Sequence, residues 1–342
     1  MPLLHDSASQ TLTGVSPGHE HEPLSDARFA AETDHMLAAR VDPSETVVVS
    51  GFWRSGTTWL QESLAELLEA KTIFEPFHFS VPATKKLFKY YGLAKKSESF
   101  RELFIPYCAE QTLESQPLLH HYYERALRAD LPGNAVRVLR KEVAECHRTR
   151  VVVKFTRGQF SLHAAQNTFG MPILHVSRDP RAIVASAKMT DWFWLFKHLS
   201  LKEQLLEIKD GRARFFRPWA DVIAEYDHDE ISRLAAYWAL TEKFLCAVFA
   251  ERQARIAFVR YEELTRRKAQ LMAELLERLG VNKARSASLR ISDHDSFSTS
   301  QQRQGASTDE RIAGWKKALT RAEIAAIEAI VQRLGFTDRL GD

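Results

Sequence analysis

Cysteine is scarce in this chain. Cys108, Cys146 and Cys246 are the 3 cysteines among 342 residues, odd in number, widely spaced and without a Cys-x-x-Cys pair, which argues against a disulfide framework and a cysteine zinc site. A reducing compartment, the cytoplasm, is the expectation. Long apolar runs are missing as well. Nowhere do about 18 consecutive apolar residues occur, and Met1 to His21 lacks a basic start followed by an apolar stretch, so neither a membrane span nor a secretory signal is expected. Charge of one sign is not in excess: 47 basic and 44 acidic residues leave a net charge of +3, which disfavours a dedicated nucleic-acid partner. Internal repeats are absent, and no Asp, Glu or His cluster has metal-ligand spacing, so no metal is expected. The chain also lacks Gly-x-x-x-x-Gly-Lys-Ser/Thr: only Gly51 and Gly56 are present and no Lys precedes Thr57, which weakens a kinase or ATPase reading.

What is present supports a globular enzyme, since 45% hydrophobic and 10% aromatic content can fill a sizeable core. Met1 to Leu24 is polar and rich in Ser, Thr, Gly, Pro and His, and reads as a disordered leader. Helical spacing follows from Ala27 to Val41, ended by Asp42-Pro43-Ser44. Val47 to Leu60 reads Val-Val-Val-Ser-Gly-Phe-Trp-Arg-Ser-Gly-Thr-Thr-Trp-Leu. An apolar β-branched run leads into a polar loop, and apolar spacing resumes at Trp59, Leu60, Leu64, Leu67 and Leu68: strand, loop, helix. The first amides of a helix lack intrahelical partners and lie at the positive end of its dipole, so such a junction can hold a phosphate or sulfate.

Ser80 to Gly133 is a mixed, Phe-, Tyr- and Leu-rich insertion read as helices with loops. A second strand is expected at Arg150 to Phe155, a helical stretch at Ser161 to Thr168, and a third strand leading into Arg178-Asp179-Pro180-Arg181. With Ile256 to Val259 as a further strand, the pattern predicts a parallel sheet flanked by helices, with ligand sites at the strands' carboxyl ends. Packing helices are expected from Ser232 to Glu251, Arg266 to Leu279 and Arg321 to Leu334, and a long loop from Ile291 to Ala313. Pro180 suits the first turn of a helix on which Arg178 and Ser186 can face one anion, Arg offering a planar fork of donors.

Arg-Ser-Gly-Thr-Thr-Trp at 54–59 resembles the phosphosulfate loop of sulfotransferases that use 3′-phosphoadenosine 5′-phosphosulfate (PAPS). Arg178 with Ser186 resembles their 3′-phosphate motif, in the same order and at the family's separation. The resemblance spans about Thr46 to Phe336 and implies an α/β fold, a central parallel sheet flanked by helices in the P-loop NTPase-like sulfotransferase arrangement, with residues 25–342 as a single domain. It implies that Arg54, Ser55, Gly56, Thr57 and Thr58 hold the 5′ end of the donor and that Arg178 and Ser186 hold its 3′-phosphate. Trp59 is similar to a tryptophan that stacks on adenine. Tyr261, in Val-Arg-Tyr-Glu-Glu-Leu, and Ser296-Phe297 resemble residues that reach the same base. Arg303, or Arg311 ahead of Trp315, resembles a late Arg-Lys-Gly segment.

Lys154-Phe155-Thr156-Arg157 stands where cytosolic phenol and steroid sulfotransferases carry Lys-Thr-His, so the expected His is absent. Arg54, the run Phe74-Glu75-Pro76-Phe77-His78 and Val-Val-Lys-Phe-Thr-Arg at 152–157 instead resemble carbohydrate sulfotransferases, in a member expected to be soluble and bacterial. Glu75 is thus the expected general base, with His78 as its rival. Arg54 would stabilise the leaving phosphate, and Lys154 the sulfuryl or bridging oxygens. PAPS is the expected donor and PAP the product, with no metal required. The acceptor is read as a glycan, glycolipid or small-molecule hydroxyl, with aromatics at Trp192 to Phe196 and Phe215 to Trp219 available as walls. A small-molecule kinase using ATP and a non-catalytic nucleotide-binding protein are the alternatives.

Overall fold

A computed structural model describes residues 41–79, 81, 84–131, 148–190, 193–250, 255–282 and 305–341. Within them, β1 (Val47–Gly51), β2 (Ala70–Phe74), β3 (Arg150–Phe155), β4 (Ile173–Ser177) and β5 (Ile256–Arg260) form one parallel sheet in the order β2-β3-β1-β4-β5. The longer helices are α1 (Thr57–Leu68), α2 (Pro117–Leu127), α3 (Leu162–Phe169), α4 (Pro180–Lys188), α5 (Glu230–Phe249), α6 (Tyr261–Arg278) and α7 (Arg321–Arg333).

Strands buried on both faces read as continuous β-branched runs, and successive residues still point to opposite sides. Val47, Val49, Val152, Leu174 and Val259 pack with Leu60 and Leu64 of α1 and with Leu264, Leu271 and Met272 of α6. Val48, Val151, Val153 and Ile173 pack on the other face with Tyr122 and Tyr123 of α2 and Leu162 of α3. A third apolar cluster joins α4, α5 and α7 through Ile183, Trp238, Ile327 and Val331. Asp229 caps α5 by accepting from the amides of Ile231 and Ser232, and Thr320 with Glu323 forms a capping box on α7.

The expected strands at β1, β3, β4 and β5 are present, as are the helices within Ser80 to Gly133, at Thr84–Tyr90, Glu98–Glu102 and Pro117–Leu127. Three readings need correction. Ala70–Phe74 is an edge strand that the sequence pattern did not announce: it is five residues long, follows α1 after Glu69 alone, and buries Lys71. Helix α6 begins at Tyr261, earlier than the expected Arg266, and is interrupted at Lys268. Within the expected loop from Ile291 to Ala313, Thr308–Ala313 is a helix closed by a Ser307/Glu310 capping box. The expected leader, nearly all of the Ala27 to Val41 helix, and Ser296, Phe297 and Arg303 lie outside the described residues.

Strand order reverses around β1, and the carboxyl ends of β1 to β5 lead into Arg54, Glu75, Thr156 with Arg157, Arg178 and Tyr261. The polar signatures therefore meet along one edge of the sheet, where ligands bind in open α/β folds.

Candidate active site

The loop from Phe52 to Gly56 turns β1 into α1 through two left-handed residues, Arg54 at φ 67° and Gly56 at φ 85°. Gly56 is required twice over. Its φ disfavours a side chain, and a Cβ there would come within 2.4 Å of the Tyr261 ring. As the N-cap of α1, Gly56 provides no side-chain acceptor to the first amides of the helix, which leaves them available to an anion. Ser55 is fully buried and its Oγ has no hydrogen-bond partner among the described residues. An orphaned hydroxyl beside an uncapped helix start fits an anionic group.

The second signature meets the first. Arg54 Nε donates to Ser186 Oγ at 3.0 Å. Arg178 Nη1 donates to the Arg54 carbonyl at 2.9 Å and Nη2 to the Arg311 carbonyl at 2.7 Å, while its guanidinium lies 4.3 Å from the Tyr261 ring centroid. Arg178 Nε is buried and has no partner among the described residues. Asp179 is not the counterion of Arg178: it caps α4 and pairs with Arg181. Trp59 is buried in the layer that α1 shares with the sheet.

The third group is a buried charge cluster. Glu75 follows β2 at φ 45° and is 3% exposed, so it is not a surface helix-end residue. Its Oε1 accepts from Thr156 Oγ1 at 2.6 Å and lies 3.2 Å from Lys154 Nζ. Its Oε2 accepts from Arg157 Nη1 at 3.1 Å and from the Thr156 amide at 3.3 Å. Lys154 Nζ also donates to Thr58 Oγ1 at 3.0 Å and sits 3.5 Å from the Phe74 ring centroid. Arg157, buried, donates through Nε to the Glu102 carbonyl at 2.7 Å and through Nη2 to the Glu102 carboxylate. His78 Nε2 is 3.4 Å from the same carboxylate. A continuous chain of polar contacts thus runs from half-buried His78 to the anion loop.

Burial is the largest influence on Glu75 and pushes its proton affinity up, but the charges of Lys154 and Arg157 and the Thr156 hydrogen bond outweigh it and hold the carboxyl below its ordinary 4.5. For Lys154, burial dominates and lowers the ammonium from 10.5 to about 8 despite the Glu75 charge. Ionised Glu75 and a readily deprotonated lysine are therefore held against each other beside the loop.

Residues 46–285 match the family model described as the sulfotransferase family. The chain belongs to the sulfotransferase family. The matched stretch carries Arg54, Glu75, Lys154, Arg178, Ser186 and Tyr261 and stops short of Arg311. No curated protein sequence matches the chain significantly. Among solved structures, the sulfotransferase domain from the curacin biosynthetic pathway is similar, at 13% identity, TM-score 0.43, covering 85% of this chain and 97% of that one. A sulfotransferase from Alicyclobacillus acidocaldarius is similar at 14% identity, TM-score 0.36, covering 84% and 96%. Mouse sulfotransferase SULT7A1 complexed with PAP is similar at 11% identity, TM-score 0.38, covering 89% and 90%.

For this sulfotransferase, sequence reasoning missed Thr156, Arg157 and Glu102. Arg157 had a readable signal, a cation directly after a buried strand at its carboxyl end. Glu102, on a short helix far away in sequence, had none. Of the aromatics offered as acceptor walls, Phe196 and Phe216 are core residues, Phe215 stacks on Trp219, and Trp194 is exposed. Trp192 lies outside the described residues. Among the described residues, no helix is long and apolar enough to cross a membrane.

Proposed function

We propose that this chain transfers a sulfuryl group from PAPS to an acceptor hydroxyl of a carbohydrate, glycolipid or small metabolite, in the cytoplasm, with residues 25–342 acting as one domain. The observation that carries this reading is the link from the anion loop through Thr58 and Lys154 to buried, ionised Glu75. PAPS supplies an activated sulfuryl group on a phosphate leaving group. Ser55, Thr57, Thr58 and the α1 amides bind its 5′ end. Arg178 and Ser186 bind the 3′-phosphate, and Arg54, which touches both motifs through its side chain and its carbonyl, orients one against the other and stabilises charge on the leaving phosphate. Trp59, Tyr261, Ser296 and Phe297 flank adenine. Between Arg303 and Arg311, the Arg311 carbonyl already rests on Arg178, which favours Arg311 as the late arginine near the 3′-phosphate.

Glu75 is the general base. Its carboxylate is ionised and fixed by Thr156 and Arg157, so it can take the acceptor proton once one lone pair is exposed. His78, at the outer end of the cluster beside Glu102 rather than at the loop, is the weaker assignment. Calorimetric titration with PAP, with magnesium-ATP as the comparison, tests the donor class. Tight binding of PAP without metal is expected, and binding of magnesium-ATP alone would overturn the proposal. With PAPS and an acceptor found by screening, Glu75→Gln should lower turnover by about two to four orders of magnitude while leaving PAP binding intact.

A further inference from the structure

One ammonium serves two sites in this fold. Lys154 Nζ donates to Thr58 Oγ1 of the anion loop at 3.0 Å and lies 3.2 Å from Glu75 Oε1, so the donor end and the base compete for the same cation. Phe74 lies beside the ammonium, 3.5 Å from ring centroid to Nζ. Thr156 and Arg157 hold Glu75 independently. Removing Lys154 from Oε1 would leave the carboxylate anchored, with one acceptor position exposed.

We infer that Lys154 is a donor-operated latch on Glu75: the sulfuryl oxygens of a donor whose 5′-phosphate is seated at Thr58 draw the ammonium off Oε1 and free that oxygen for the acceptor hydroxyl. This rests on the proposed donor and on Glu75 as base. The physical ground is competition between anions in a desolvated site, where a second negative group at hydrogen-bond distance redistributes the donors of a shared cation. The charged groups that set the proton affinity of Lys154 are Glu75 at the end of β2, Arg157 after β3 and Glu62 on α1. Two carboxylates attract the proton and one guanidinium opposes it. Burial leaves Lys154 close to half-protonated at pH 8, so a further anion must complete its charge by taking a proton from solvent, converting the neutral amine to ammonium. No other bond changes in that step. The displaced carboxylate regains basicity when it is needed, because the cation that suppressed it has turned to the loop.

The consequence is readable without any acceptor. Calorimetry of PAPS binding at pH 8, repeated in buffers of different ionisation enthalpy, gives the number of protons taken up. Uptake of about half a proton is expected with PAPS, and clearly less with PAP, which has no sulfuryl oxygens to recruit the ammonium. In Lys154→Met the difference between the two nucleotides should vanish while PAP still binds. In Glu75→Gln, where Lys154 loses its carboxylate and is more fully neutral when free, the uptake should rise toward one proton. Equal uptake for PAPS and PAP in the unaltered protein, or a difference that survives in Lys154→Met, would overturn the latch with the donor assignment intact. If neither nucleotide binds, the donor assignment falls and the latch with it. If Glu75→Gln retains full transferase activity, Glu75 is not the base and Lys154 has nothing to unlock.

Discussion

Arg54 and Glu75 both lie in the left-handed region, at φ 67° and 45°. For side chains of this size that conformation costs on the order of 1 kcal/mol or more and persists only where surrounding contacts over-determine it. At Arg54 those contacts are Ser186 and Arg178, and at Glu75 they are Thr156, Lys154 and Arg157. Both positions thus hold strain beside the anion loop. Arg178 supports the loop with two of its nitrogens and leaves Nε unpartnered among the described residues. Arg178→Ala should therefore weaken PAP binding by about 2 to 3 kcal/mol, the scale of a lost charged hydrogen bond, and weaken adenosine 5′-phosphosulfate binding far less. Calorimetry with the two nucleotides checks this. Equal losses would assign Arg178 to loop support instead of 3′-phosphate recognition.

At the scale of elements, the site depends on β2 lying beside β3. That pairing sets Phe74 opposite Lys154, which brings the residue after β2 level with the end of β3 and lets Glu75 meet Lys154, Thr156 and Arg157. Taking one partner out of a buried pair leaves an uncompensated charge, whereas replacing both by neutral groups is much less costly. Glu75→Gln should accordingly lower the free energy of unfolding by about 3 kcal/mol. Adding Lys154→Met to Glu75→Gln should restore a large part of the loss. Urea unfolding of the two single variants and the double variant measures the coupling, and additive losses would show that the two side chains do not act as a pair. The edge strand itself was hard to read, because Ala70-Lys71-Thr72-Ile73-Phe74 is short, carries a lysine and abuts α1. The loop and α4 signatures were legible because each is a local strand-to-helix junction with its polar residues in one short run.

Across the whole molecule, the cluster gives stability a distinct dependence on pH. Glu75 has a folded value below its 4.5 reference, so its contribution is complete above that range and is lost as pH falls through the folded value. Lys154 acts in the opposite range. Its folded value of about 8 lies below 10.5, so between these the unfolded chain binds more protons than the folded one, and stability from this group rises with pH. Between pH 8 and 9 the rise from Lys154 is about 1 kcal/mol, partly offset in the unaltered protein and in Lys154→Met alike by the thiol of Cys108, pushed from 9.0 to about 12 by burial, whose contribution of the other sign sets in as pH approaches 9.0. Urea midpoints of the unaltered protein and Lys154→Met at pH 8 and 9 should differ by this slope. Parallel pH dependences would place the Lys154 proton elsewhere. The chain beyond the matched region also belongs to this body: Arg181 on α4 pairs with Glu328 on α7 at 2.7 Å and lies over Trp315 at 3.9 Å.

The parallel α/β architecture, the strand-to-helix loop after β1 and the pair of Arg178 ahead of α4 and Ser186 within it are legible in the chain alone, because each is written in a short run of residues whose periodicity and turn chemistry act locally. The sequence also singled out Glu75 and Lys154 as residues of interest, through resemblance to the family. Their surroundings come from the folded chain. Arg54 reaches Ser186 across 132 positions, and Glu75 reaches Thr156 across 81 and Arg157 across 82. Glu102 comes to Arg157 from 55 positions away. Contacts of that range depend on strand order and register, which place distant chain ends side by side at one edge of the sheet. The shared lysine and the depressed carboxyl follow from burying those charges together, which no local pattern records.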